Sequence, residues 1–152
     1  MKWICLLGLG GVLFALPAPA AEPGFRAQFI GGTVSGIAPK SSARLDLSGA
    51  EALILRDGKT EFSILYGRVN AIEYGQNVSR RYAAAVLISP VLLLSKSRKH
   101  FVTVGYADQA GAQQALVLRV DKKDIRSVLA SLEARTGRRV DYQDNEARKA
   151  GQ

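Results

Sequence analysis

The chain has 152 residues, 47% of them hydrophobic and 22% charged, with a formal net charge of +8. That balance is globular and excludes a disordered chain, and the length fits one domain. The single cysteine, Cys5, sits in an N-terminal leader, so the rest of the chain has no disulfide framework and no cysteine-ligated metal.

The leader reads as a secretory signal peptide over residues 1–20. Lys2 is its positive start, Ile4 to Leu16 its apolar stretch, and Pro17-Ala18-Pro19-Ala20-Ala21 its small-residue cleavage region. Cleavage is expected after Ala20 or Ala21, the alternative being an uncleaved N-terminal anchor. The expected location is therefore export, to the periplasm or the medium. Export sets nucleic acid aside as a partner of the basic chain. Lipid headgroups and cell-wall polymers remain as anionic neighbours, beside a merely solvated basic surface.

Strand signals dominate from Phe25 to Val120. Phe25 to Ile37 reads as a first strand, with Gly31, Gly32 and Gly36 marking a bulge or a sharp bend. Ala43 to Leu47 alternates, placing Leu45 and Leu47 on one face. Ala52 to Leu55 and Thr60 to Tyr66 flank Asp57-Gly58, a strong hairpin turn. Gly67 interrupts, and Val69 to Tyr74 resumes the strand pattern. Phe101 to Tyr106 and Gln113 to Val120 form the clearest hairpin, with Leu116 and Leu118 on one face and Val117 on the other.

Then the apolar period changes from 2 to 3.6. Ile125, Val128, Leu129 and Leu132 form the stripe of an amphipathic helix. Asp121 is the expected N-cap, Gly137 the expected residue after the C-terminus, and Arg135, Arg138 and Arg139 suit the negative end of the helix dipole. The tail 144–152 reads as polar and frayed.

Residues 82–95 stand apart. They contain AAAVLISPVLLL, preceded by Arg80 and Arg81 and followed by Lys96, Arg98, Lys99 and His100. The run is short for a transmembrane helix, and Pro90 interrupts it. It reads as a buried strand or short helix, as an interfacial segment on a membrane, or as a surface for another chain. In the last two readings Val86, Leu87, Ile88, Val91, Leu92 and Leu93 make apolar contact. Arg80, Arg81, Lys96, Arg98 and Lys99 then form an anion-binding patch, the alternative being that they end a buried element.

Several short strands followed by one helix, with the wording from Phe62 to Tyr74 (FSILYGRVNAIEY) and from Lys99 to Tyr106 (KHFVTVGY), resembles bacterial pleckstrin-homology-like and GRAM-like domains. The ending LEARTG, Leu132 to Gly137, is similar to that of small exported proteins of this build. The resemblance covers about 25–142 and implies a mainly β fold with a C-terminal α-helix: a strongly bent antiparallel barrel or sandwich capped by one helix. It places the domain at 21–143 with 82–95 as an apolar insertion. It implies a non-enzymatic scaffold that binds a protein or peptide partner. The first inter-strand loop, which grips phosphoinositides in many members, holds Lys40 and Arg44 outside their Lys-x-Arg spacing.

Catalytic chemistry finds little support. His100 is the only histidine, it sits among cations that disfavour its protonation, and no Gly-x-Ser-x-Gly elbow accompanies it. Asp141, Asp144 and Glu146 read as a solvated end rather than a metal site. The expectation is a protein with no catalytic residue, cofactor or metal, whose partner is a protein or peptide. The alternative partner is an anionic membrane surface engaged through 82–95. A hydrolase of unrecognised type is a third reading.

Overall fold

The computed structural model describes residues 23–76 and 99–151. Eight strands form one sheet: β1 (Phe25–Gly32), β2 (Ser42–Asp46), β3 (Ala52–Asp57), β4 (Thr60–Leu65), β5 (Val69–Gly75), β6 (His100–Ala107), β7 (Gln113–Val120) and β8 (Val140–Tyr142). Two helices follow β7, α1 (Ile125–Thr136) and α2 (Asn145–Gly151). The spatial order is β4-β3-β2-β1-β7-β6-β5-β8. Two antiparallel meanders, β1 to β4 and β5 to β7, are thus joined edge to edge by β1 and β7, while β8 runs parallel to β5.

The expected fold class holds: a mainly β chain whose bent sheet is capped by a C-terminal helix. The sheet is hydrogen-bonded as an open sheet, with β4 and β8 at its edges, and β8 makes it mixed rather than purely antiparallel. It curls enough that the Phe62 ring of β4 meets the Tyr106 ring of β6, at 6.3 Å between centroids and 59° between planes. The glycines of β1 do mark a distortion: the β1–β7 register slips between Phe29 and Gly31, a bulge that adds twist. At Gly32 a Cβ would lie 2.5 Å from the Ala115 carbonyl oxygen, so only glycine allows the two strands this approach. The first strand ends there, short of the expected Ile37.

Alternation sorts side chains to the two faces. The inner face carries Phe29, Leu45, Leu55, Ile72, Val104 and Leu118, and α1 lays Ile125, Val128, Leu129 and Leu132 onto it. The opposite face buries a second cluster of Ile30, Phe101, Ala115 and Val117, as the opposed phase of Leu118 and Val117 requires.

The helix stripe is the expected one, but its start is not. Asp121 to Asp124 form a turn in which the Asp124 N–H donates to the Asp121 carbonyl at 2.9 Å, and Asp124 precedes the first helical residue. Asp124 makes no side-chain cap because its backbone is already helical, at φ −99° and ψ −12°. At the other end Gly137 takes φ 66° and its N–H donates to the Glu133 carbonyl, a left-handed cap that favours glycine. Arg135 ties this end to the sheet. It donates to the Gly49 carbonyl at 2.5 Å and the Ser48 carbonyl at 3.2 Å, and lies 5.8 Å from the centre of the Tyr66 ring.

The tail 144–152 was expected to be polar and frayed; the structure places α2 there. Asp144 supplies the reason: its carboxylate accepts the Ala147 N–H at 2.6 Å, an N-cap that lets Ala147 turn into the core at 0% exposure. β8 and α2 enclose Tyr74, itself fully buried, whose ring meets Tyr142 edge-on at 6.1 Å. The Tyr74 hydroxyl and His100 Nδ1 share a hydrogen bond of 2.5 Å, and the two rings lie parallel. Burial, reinforced by Tyr142 and Asp144, pushes the Tyr74 hydroxyl up to about 12. Burial, with Lys122 adding, holds His100 below its usual value. The cause differs from the sequence expectation, which rested on His100's chain neighbours.

Two predictions follow from this packing. Leu129→Ala removes the middle of the α1 stripe and is expected to cost roughly 2–5 kcal/mol in urea unfolding, with an unchanged midpoint counting against helix docking. Folded His100 takes up a proton less readily than unfolded His100, so its contribution is complete above about pH 6.5 and fades as pH falls below that value. Denaturation between about pH 5 and 7 should show stability falling on acidification, with a shallower fall in His100→Gln.

Candidate anion-binding site

On the face opposite the main core, strand phase turns a row of arginines outward. In β1 Ala27 points in and Arg26 out; in β2 Leu45 points in and Arg44 out; in β3 Leu55 points in and Arg56 out. Register sets these arginines side by side, Arg26 opposite Arg44 and Arg44 opposite Arg56. The β1–β7 pairing adds Arg119, directly across from Gln28. The four guanidinium side chains line one cleft of about 520 Å³, together with Gln28, Ser42, Gly58 and Asp121.

Like charges directly opposite one another destabilise a sheet. One end of the row is compensated. Arg56 Nη1 donates to Asp46 Oδ2 and Arg56 Nε to Glu61 Oε2, both at 2.8 Å. Asp46 is fixed further by the Ser48 hydroxyl at 2.6 Å and the Ser48 N–H at 2.9 Å. These hydrogen bonds, those from Ser48 and Arg56 foremost, hold the Asp46 carboxyl down at about 2, and the two carboxylates raise Arg56. Arg26 and Arg119 make no ion pair among the described residues, so positive field remains at these two positions.

A second cleft, of about 760 Å³, lies between α1, β8 and α2 and is lined by Arg126, Arg138, Arg139 and Arg148 with Glu133. Arg138 and Arg139 follow the C-terminus of α1, where the helix dipole favours cations, so structure alone accounts for them. Helix-dipole compensation of this kind is not open to Arg26 and Arg119, which stand on strands.

Of the residues singled out by sequence, Arg80, Arg81, Lys96, Arg98, Val86, Leu87, Ile88, Val91, Leu92 and Leu93 lie outside the described residues. Lys99 is half-buried just before β6 and does not line the arginine cleft. Lys40 takes a left-handed turn conformation at φ 68°, with its carbonyl accepting Gln28 Nε2 at 2.8 Å. Arg44 is not a loop residue but part of β2, because the first inter-strand connection ends at Ser41. His100 is engaged by Tyr74. Sequence reasoning missed Arg26, Arg56 and Arg119. Each does sit one residue from an inward-facing apolar residue, but their convergence needs the strand register.

Among the described residues no group of His, Cys, Asp or Glu is placed to hold a metal ion, and no helix is long and apolar enough to cross a membrane. Comparison with protein-family models and with curated proteins gives no match to this chain.

Asp46 bears on stability as well as charge. Its folded carboxyl titrates near 2 rather than 3.8, so its contribution is present above about pH 3.8 and is lost as pH falls through about 2. Asp46→Asn should cost about 1.5 kcal/mol at neutral pH, the low end for hydrogen bonds to a charged group, since solvent reaches Arg56. In urea titrations the gap between variant and parent should close as pH drops from 3.8 towards 2.

Proposed function

We propose that this protein is an exported, non-catalytic scaffold of pleckstrin-homology-like build that binds a protein or peptide partner through the arginine cleft. The observation that carries the reading is the convergence of Arg26, Arg44, Arg56 and Arg119, from four strands, on one cleft. Guanidinium groups suit planar, bidentate recognition of carboxylates, and a rigid sheet holds them in place without a large ordering cost. The strand order, two meanders joined through β1 and β7 with α1 over the inner face, supports the scaffold reading. The leader residues support export.

The cleft favours a partner over chemistry. It presents cations, a serine and a glutamine, with Asp121 also in its lining, and brings no histidine to them. Peripheral membrane binding through 82–95 is the rival reading, and it rests on residues outside those described.

Binding of a pool of labelled, short acidic peptides of randomised sequence to the purified protein tests the reading. Affinity should fall as salt rises and should drop sharply in Arg26→Glu/Arg119→Glu, with the melting point of that variant checked in parallel. Sedimentation with phosphatidylglycerol vesicles, unaffected by the double variant, together with no peptide binding, would favour the membrane reading instead.

A further inference from the structure

Alternation and register place the cleft residues on a small grid. Arg119 of β7 stands opposite Gln28 of β1, and Gln28 stands opposite Ser42 of β2. Arg26 lies two residues along β1 from Gln28, on the same face. Arg26 and Arg119 are therefore diagonal neighbours, one strand across and two residues along, a spacing of about 7–8 Å. Neither makes an ion pair among the described residues, although Arg119 is half-buried, with the buried Phe101 of β6 on its other side. A half-buried cation without a counter-ion is costly. One carboxylate set between the two guanidinium groups relieves both, offering an oxygen to each fork. Arg44 has an interaction of its own, and Arg56 is tied to Asp46 and Glu61, so the grip falls to Arg26 and Arg119.

Charge limits the ligand to a single such group. Asp121 also lines the cleft, directly after Val120, the partner of Ala27. Two guanidinium groups and this carboxylate leave one net positive charge. A single carboxylate balances it, whereas a phosphate dianion or a run of acids exceeds it and meets Asp121 as a like charge. The ground beside Arg119 is neutral: Gln28, then Ser42, with Gly58 also in the lining. Gln28 Nε2 donates to the Lys40 carbonyl at 2.8 Å, which fixes the amide and leaves Oε1 to accept a backbone N–H. The Ser42 hydroxyl can serve a backbone group in the same way. These residues suit an extended chain that passes over the sheet and sends one acidic side chain to the arginines.

We infer that the cleft takes one Asp or Glu side chain of an extended partner segment with uncharged neighbours, Arg26 and Arg119 sharing its carboxylate. This rests on the partner-binding reading of the same cleft and adds to it that a single carboxylate is the group recognised.

Fluorescence anisotropy with the purified protein tests it, using four labelled Gly/Ser peptides of equal length. Three have blocked ends and carry one central Glu, one central Gln, or three Glu; the fourth has no Glu but a free C-terminal carboxylate. The one-Glu peptide should bind at least about tenfold more tightly than the Gln peptide, the gain of a charge-assisted pair. This comparison leaves the protein untouched. Three Glu should add no more than about threefold, the statistical gain of three equivalent groups. Arg26→Gln and Arg119→Gln, with melting points checked in parallel, should each weaken the one-Glu peptide by about tenfold and leave the Gln peptide unchanged. Lys149→Gln on α2 should change neither. Binding of the three-Glu peptide alone would overturn the single carboxylate while leaving the partner-binding reading in place. Equal binding of the peptide with a free C-terminus would overturn the side chain as the source. No binding of any peptide, or binding untouched by both arginine variants, would overturn the cleft as a site and the proposed function with it.

Discussion

The antiparallel pairing of β1 with β7 is the contact on which the rest of this structure depends. It joins residues about ninety positions apart, Ala27 with Val120 and Gly32 with Leu116, and so merges two local meanders into one sheet. Each meander alone has an apolar face that needs a cover. Merged, they curl around a common core, and α1 closes it. Non-local pairing of this kind carries a loop-closure cost that local hairpins avoid, and it is repaid only when the whole inner face is buried. Gly32 is the residue that makes the approach possible, since the Ala115 carbonyl occupies the place of a side chain.

The same pairing sets both faces. Inward, it aligns Phe29 with Leu118 in the main core. Outward, it brings Arg119 to the strand that carries Arg26, and β2 and β3 add Arg44 and Arg56 through their own registers. A row of like charges works against the sheet that presents it. Asp46, Glu61 and Ser48 relieve the β3 end through a compact set of hydrogen bonds. The field left at Arg26 and Arg119 is what the proposed partner binding would use. Local rules broken without a structural return tend to mark functional positions.

The C-terminal region shows how short polar segments are recruited to packing. A three-residue strand and a seven-residue helix would not be stable alone. They persist because Asp144 caps α2, Ala147 enters the core, and Tyr142 packs against Tyr74. The Tyr74 hydroxyl, sealed by these elements, then finds its partner in His100. The chain's single histidine is thereby engaged in joining β5 to β6.

Local rhythm was enough to place most elements. Alternation, short apolar runs and turn residues located seven strands, the first of them five residues too long; the shift to period 3.6 located α1, and Gly137 marked its end, because these signals depend on neighbours along the chain. β8, α2 and the start of α1 escaped it. The first two owe their existence to burial against β5 and α1, and Asp121 and Asp124 both have the chemistry of a cap, so only the backbone path could choose. The arginine cleft escaped it for a deeper reason. Each of its arginines is an ordinary outward-facing strand residue when read alone. Strand phase, a local property, determines that they face outward, whereas register across four strands determines that they meet, and register is decided only when distant apolar faces are buried together.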